Sequence, residues 1–129
     1  PEHRVVVMEG DGGLLMNLGC LATTADLALD NLLILLFDNR KYEASGNQPL
    51  PGGHADFAAL ARAAGIPNAI SVEKISNFKE PAQEALTQKG TTFFCLKTRE
   101  EGDLTFPPYR DHPWEVAARF RQWSKSQRE

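Results

Sequence analysis

A short β-branched run that ends directly in a cluster of glycines restricts the fold of this chain more than any other feature. The run RVVVM (4–8) predicts a buried strand, and EGDGG (9–13) follows it with three glycines in four positions. Because glycine tolerates unusual backbone angles and close approaches, this segment predicts a tight turn. Apolar residues then recur at helical spacing as far as about residue 30, namely Leu14, Leu18, Leu21, Ala25 and Ala28. The segment therefore predicts a strand, a glycine turn and a helix in succession.

The same alternation continues along the chain. Further apolar runs that predict strands lie at 32–37, 69–72 and 92–96. Asp56 is expected to cap a helix that Gly65 ends, and Pro81 and Pro113 are expected to open two more helices. Strands that alternate with helices imply right-handed crossovers. We therefore predict an α/β fold, a mostly parallel sheet with helices on both faces, in a single domain over residues 1–129.

Composition and charge exclude several functional classes. The chain is 42% hydrophobic and 24% charged, as folded globular proteins are, and its 14 basic and 17 acidic residues give a net charge of −3. This net charge gives no excess of positive residues that would bind nucleic acid or an anionic membrane. No apolar run approaches the length of a membrane span. Cys20 and Cys95 lie in apolar runs and are predicted to be buried thiols. We therefore expect a cytoplasmic protein.

The glycine turn is also a candidate anion site. The N-terminus of a helix after Gly10, Asp11 and Gly12 favours a phosphate, although a turn with an aspartate cap explains this short motif equally well. A carboxylate beside a phosphate needs a cation between them, and Mg²⁺ prefers oxygen ligands. Asn39 is the candidate second ligand. The 25 residues from 13 to 37 are the length of one helix and one strand that return to the same sheet edge.

These residues resemble the diphosphate-binding domain of thiamine diphosphate enzymes, in which a GDG motif is followed by a long spacer and an Asp-Asn or Asn-Asn pair. The chain has GDG at 10–12 and Asp38-Asn39. More narrowly, the chain is similar to the phosphonopyruvate and sulfopyruvate decarboxylase group. The segments that carry this similarity are GDGGLLMNLGCLAT (10–23), LFDNRKYEASGNQ (36–48) and FAALARAAG (57–65). The resemblance covers nearly the whole chain and implies a 2-oxo acid decarboxylase that uses thiamine diphosphate and Mg²⁺.

The resemblance also implies a role for individual residues. It assigns the side chains of Asp11 and Asn39 and the backbone carbonyl of Lys41 to Mg²⁺, and the N–H groups of Gly12 and Gly13 to the diphosphate. The cofactor-binding residues that it implies are Gly10, Asp11, Gly12, Gly13, Asn39 and Tyr42. Tyr42 is equally well explained as a packing residue. Gly13 stands where many relatives have serine, so a hydroxyl that could donate to phosphate is absent.

The resemblance implies that this chain is one half of an enzyme. Relatives have another strand and helix before GDG, whereas nine residues precede it here, so we expect the domain to lack its N-terminal strand and helix. The glutamate that activates the cofactor belongs to a separate pyrimidine-binding domain, which no segment here resembles. We therefore expect an oligomer with a pyrimidine-binding, α-type partner subunit, a small anionic 2-oxo acid as substrate, and no activity of this chain alone.

Two other functions stay open at this point. The β-chain of a 2-oxo acid:ferredoxin oxidoreductase has similar motifs, although its iron–sulfur centres need cysteine ligands and this chain has two isolated cysteines. A non-catalytic phosphate-binding subunit that keeps the fold without the activity is the other alternative, and the short N-terminus is compatible with it.

A few residues outside these motifs are weaker candidates. His54 is a possible acid or base on a loop, although a surface histidine is the commoner case. Arg40 and Lys41 either attract an anionic substrate or are simply solvated. Phe120 and Trp123 lie on one face of the last helix and are predicted to be core or interface residues. A solvated turn is predicted at 99–103 and an extended link at 107–108.

Overall fold

A four-stranded parallel sheet with helices on both faces forms the centre of the protein, as predicted. The computed structural model describes residues 3–99 and 110–127. The strands are β1 (Val5–Gly10), β2 (Leu32–Asp38), β3 (Lys41–Tyr42), β4 (Gln48–Pro49), β5 (Asn68–Val72) and β6 (Thr92–Lys97). The helices are α1 (Asp11–Met16), α2 (Gly19–Asp26), α3 (Phe57–Ala63), α4 (Lys79–Thr87) and α5 (Pro113–Ser126). The turn predicted at 99–103 lies outside the described residues except for residue 99, and the link predicted at 107–108 lies wholly outside them.

The order of the main sheet is β1-β2-β6-β5, and each neighbouring pair is parallel. Because side chains alternate along a strand, the central strands β2 and β6 supply apolar residues to both faces. Leu36 and Phe93 pack with α1, α2 and α3 on one face, and Phe94 packs with Ala85 of α4 on the other. This order places the carboxyl ends of β1, β2 and β6 side by side.

The predicted helix signals in the second half of the chain are confirmed. The Asp56 carboxylate caps α3 by accepting the N–H of Ala59 at 3.0 Å, and Gly65 follows the helix with φ of +105°. Pro81 lies in the first turn of α4, and Pro113 is the first residue of α5. These features depend on residues close in sequence, which is why the sequence alone predicts them.

The prediction that the first strand is buried is wrong. β1 pairs with β2 along one side and is an edge strand among the described residues. Its valines are 39–47% exposed and Met8 is 69% exposed. A β-branched run therefore indicated a strand correctly, but burial depends on what covers the strand, which the run does not encode.

The prediction of a single helix from about residue 14 to about residue 30 is also wrong. α1 already begins at Asp11. The helical conformation is interrupted at Asn17, whose φ of −146° and ψ of 65° are not helical. α2 then begins at Gly19. Gly12 and Gly13 consequently lie inside the first helix rather than in a tight turn, although Leu14 and Leu21 are buried in the core as the spacing predicted.

The two aromatic residues predicted to be core or interface on the last helix are exposed, Phe120 by 67% and Trp123 by 49%. Trp123 contacts the ring of His3, with centroids 5.7 Å apart. A core position is therefore wrong for both residues. Within residues 3–99 and 110–127, the helices are too short or too polar to cross a lipid bilayer.

Candidate cofactor site

The loops after β1 and β2 meet at one edge of the sheet and line an open cleft of about 630 Å³. Every residue predicted to bind the cofactor or the metal lines this cleft, namely Gly10, Asp11, Gly12, Gly13, Asn39, Lys41 and Tyr42. The structure therefore brings together two segments that the sequence separates by 25 residues. His54 is exposed and does not line the cleft. The ligating roles of these residues stay predictions.

Asp11 is buried at the first position of α1 and joins the two loops. Its Oδ1 accepts the N–H of Gly12 at 2.8 Å, and its Oδ2 accepts the N–H of Arg40 at 2.7 Å. Burial raises the pKa of Asp11 above its ordinary value, the neighbouring Asp38 carboxylate adds to this, and the two N–H donors oppose it. A cation bound here would favour the ionised form of this carboxylate.

Asn39 has a fixed side-chain orientation. Its Oδ1 accepts the N–H of Lys41 at 3.0 Å, and its Nδ2 donates to Oε2 of Glu43 at 2.7 Å. An amide oxygen has two lone pairs, so Oδ1 retains one for a cation. Glu43 therefore holds the oxygen of Asn39, rather than its nitrogen, toward the backbone of the metal-loop segment (residues 38–42).

Close contacts explain two of the glycines. A Cβ on Gly12 would lie 2.6 Å from Cδ1 of Tyr42, so the tyrosine ring occupies the space where a side chain would be. Tyr42 thus both packs against α1 and lines the cleft. At Gly13, the carboxylate of Glu9 takes the space that a side chain would need. An anion bound to the backbone here requires Glu9 to turn away, because like charges repel.

A buried ion-pair cluster lies behind the cleft. The Asp38 side chain is fully buried, its Oδ1 is 2.8 Å from Nε of Arg40, and its Oδ2 contacts the ammonium of Lys97. Burial acts to raise the pKa of Asp38, but the hydrogen bond from Lys97 and the other nearby groups outweigh it, and the pKa lies below its ordinary value. Asp38 is therefore an ionised carboxylate whose charge is balanced by cations.

Arg40 is bound to the protein rather than simply solvated. Its Nη1 donates to the carbonyl of Gly53 at 3.1 Å and its Nη2 to that of Ala55 at 2.9 Å, while the guanidinium lies 5.5 Å from the ring centroid of Phe57. Its backbone has φ of +64°, which is uncommon for a residue with a side chain. These contacts tie the metal-loop segment to the start of α3.

The two cysteines differ in exposure, since Cys95 is buried whereas Cys20 is exposed, contrary to the prediction for Cys20. Burial raises the pKa of Cys95 to about 11. We expect a thiol reagent at pH 8 to modify Cys20 and to spare Cys95 until the protein is unfolded, because the thiolate is the reactive form. Counting modified thiols by mass spectrometry checks this. A Cys20→Ser variant that still reacts in its native state would contradict the assignment.

The site residues that sequence reasoning missed are Glu9, Glu43 and Lys97. Glu43 follows Asn39 by four residues, and Glu9 directly precedes the GDG motif, so proximity in sequence was a usable signal for both. Lys97 is 59 residues from Asp38, and only the register of β2 with β6 makes them partners. No local pattern indicates this pair.

The residues present fit a magnesium ion and a diphosphate. Asp11, Asn39 and the carbonyl of Lys41 are oxygen donors from two adjoining loops, and Mg²⁺ prefers such oxygens together with phosphate oxygens and water. Gly10 precedes α1 without a side-chain cap of its own, and its N–H donates to Oε1 of Glu9 at 3.0 Å. The carboxylate of Glu9 therefore stands where an anion would bind, and the backbone accepts a diphosphate when Glu9 turns away.

Comparisons with known proteins agree with this geometry. Sulfopyruvate decarboxylase subunit beta of Methanothermobacter thermautotrophicus is 41% identical over 119 residues, which are 92% of this chain and 61% of that protein. Phosphonopyruvate decarboxylase of Streptomyces hygroscopicus is 33% identical over 120 residues, which are 93% of this chain and 30% of that protein. The chain thus spans less than two thirds of the length of either relative.

A solved structure, benzoylformate decarboxylase from Polynucleobacter necessarius, is similar with a TM-score of 0.61 and 25% identity, over 76% of this chain and 20% of that one. Residues 1–95 match the family model described as the C-terminal TPP binding domain of thiamine pyrophosphate enzymes. The resemblance found in the sequence is therefore confirmed, and the chain belongs to the family of C-terminal TPP-binding domains of thiamine pyrophosphate enzymes.

Proposed function

We propose that this chain is the Mg²⁺- and thiamine diphosphate-binding half of a 2-oxo acid decarboxylase and that it acts with a pyrimidine-binding partner subunit. One observation carries the proposal: every cofactor and metal residue implied by the resemblance lines one cleft in a chain of the TPP-binding family. The relatives are named as decarboxylases, and one of them as a beta subunit, which favours this function over a ferredoxin oxidoreductase β-chain.

In this proposal the protein binds and orients rather than supplying the reactive group. Bound thiamine diphosphate provides the nucleophilic carbon and the electron sink for loss of CO₂ from a 2-oxo acid. Asp11, Asn39 and the Lys41 carbonyl hold the cation, and the N–H groups of Gly12 and Gly13 hold the diphosphate. The ring of Tyr42, the last residue of the metal-loop segment, packs this segment against Gly12 of α1.

The partner subunit supplies the activating glutamate and completes the substrate pocket. The substrate is a small anionic 2-oxo acid, and the names of the relatives point to sulfopyruvate or phosphonopyruvate. We further propose that the domain over residues 1–129 forms an oligomer with this partner. We also propose the cytoplasm as the compartment, since both cysteines are free thiols.

The test is a thermal titration of the chain with thiamine diphosphate, with Mg²⁺ present or removed by a chelator. Ligand at 100 times its dissociation constant should stabilise the fold by about 2.7 kcal/mol, and this gain should require Mg²⁺. Inorganic diphosphate is the matched control, because it lacks the organic rings. Stabilisation by inorganic diphosphate that does not require Mg²⁺ would favour the phosphate-binding alternative, and no stabilisation under any condition would refute the proposal.

A further inference from the structure

Asp38 is the carboxylate nearest in sequence to the predicted metal ligand Asn39, yet it does not line the cleft. Its side chain is fully buried, with Arg40 at one oxygen and Lys97 at the other. The thiol of Cys95 also lies 3.6 Å from Oδ2. Each oxygen of Asp38 therefore has a protein cation beside it.

The sheet register creates this arrangement. Asp38 and Lys97 are the last residues of β2 and β6, and they are direct partners in the parallel pairing. The N–H of Thr98 donates to the carbonyl of Asp38 at 2.9 Å, so side-chain and backbone contacts both hold Asp38 against β6. Lys97 thus anchors the first residue of the metal-loop segment from outside the cleft.

The chemistry of Mg²⁺ shows why such an anchor matters. A carboxylate is a stronger ligand for this ion than a neutral amide, so an unpaired Asp38 would compete with Asn39 for the cation. An unpaired Asp38 would also stand beside the carboxylate of Asp11, with which it already interacts. Loss of Lys97 leaves Arg40 beside Oδ1 and removes the cation from Oδ2, so this buried oxygen would gain an ionic partner by turning toward the metal.

We infer that Lys97 is a positioning residue that, by holding Asp38 away from the cleft, presents the Asn39 side chain and the Lys41 carbonyl to the cation. This inference rests on the proposed function, since it concerns the same Mg²⁺ site. Lys97 acts through Asp38 and not through contact with the ligand. Its effect should therefore disappear when residue 38 carries no charge.

The experiment compares Lys97→Met with the double variant Asp38→Asn/Lys97→Met. The readout is the Mg²⁺ concentration that gives half of the thermal stabilisation by thiamine diphosphate. Replacing a direct partner of a metal ligand typically changes metal affinity about 10- to 100-fold. Lys97 is one contact further from the ligands, so we expect a rise at the lower end of this range, about 10-fold, for Lys97→Met. The double variant should return close to the wild-type concentration, because the uncompensated charge is gone. Lys74→Met, at an exposed lysine, is the matched control.

Each outcome has a defined meaning. If Lys97→Met melts at a lower temperature with an unchanged Mg²⁺ requirement, Lys97 is only structural and the inference fails. If the single variant does not fold, the double variant decides, and a folded double variant with weakened Mg²⁺ binding overturns the inference. If the wild-type chain shows no response to Mg²⁺ and thiamine diphosphate, the proposed function itself fails and the inference with it.

Discussion

Replacing Asp11 by asparagine is expected to abolish the magnesium-dependent stabilisation by thiamine diphosphate, about 2.7 kcal/mol at 100 times the dissociation constant. The substitution keeps the size of the side chain and removes the negative charge from a buried position where both loops converge. An amide also cannot accept both N–H groups through oxygen, so one of the contacts to Gly12 and Arg40 is lost. Thermal denaturation with and without Mg²⁺ and ligand measures the effect.

The ligand-free melting temperature of Asp11→Asn is measured first, so that loss of intrinsic stability is separated from loss of binding. Asp26→Asn is the matched control, because Asp26 is exposed at the end of α2. We expect the control to respond to Mg²⁺ and thiamine diphosphate as the wild type does. An undiminished Mg²⁺-dependent gain in Asp11→Asn would show that this carboxylate is not a ligand.

The largest loss of intrinsic stability is expected for Phe93→Ala. Phe93 is fully buried on the central strand β6 and packs in the core with Leu36 and Phe57. Removing a buried phenylalanine side chain typically costs about 3–5 kcal/mol, through lost burial and the remaining cavity. Urea denaturation followed by circular dichroism gives the free energy of unfolding for comparison with the wild type.

Phe120→Ala tests the same change of residue at an exposed position of α5. We expect a change within about 0.5 kcal/mol, as for most surface substitutions. A loss as large as that of Phe93→Ala would mean that the face of α5 containing Phe120 is packed against something, and our description of that helix would be wrong.

The sequence predicted the fold where short-range chemistry decides it. The Asp56 cap, the stop at Gly65 and the prolines that open α4 and α5 all act within a few residues. Burial of β1 and a core position for Phe120 and Trp123 were predicted wrongly, because burial depends on elements far away in sequence. The break at Asn17 was missed because the apolar spacing continues across it, with Leu14 and Leu21 both in the core.

The candidate site was predictable to a similar extent. Because parallel strands end at the same sheet edge, the sequence predicted that Asp11 and Asn39 lie close together, and the resemblance assigned their roles. The resemblance did not indicate that Arg40 is bound to the start of α3, nor that Lys97 reaches Asp38. Both contacts depend on side-chain direction and strand register, which are set by tertiary structure.

Among the described residues β1 lies at the edge of the sheet, and this position affects how the cleft behaves as a unit. Gly10 ends this exposed strand and residues 11–13 follow it, whereas Asn39 follows the interior strand β2. An edge strand with few buried contacts opens at a lower free energy than an interior strand does. Within the part of the chain that the structure describes, the two halves of the cleft therefore differ in local stability. A ligand that contacts both halves would join them into a single cooperative unit. Its net affinity would be lower by the free energy needed to order the less stable half, the residues that follow β1.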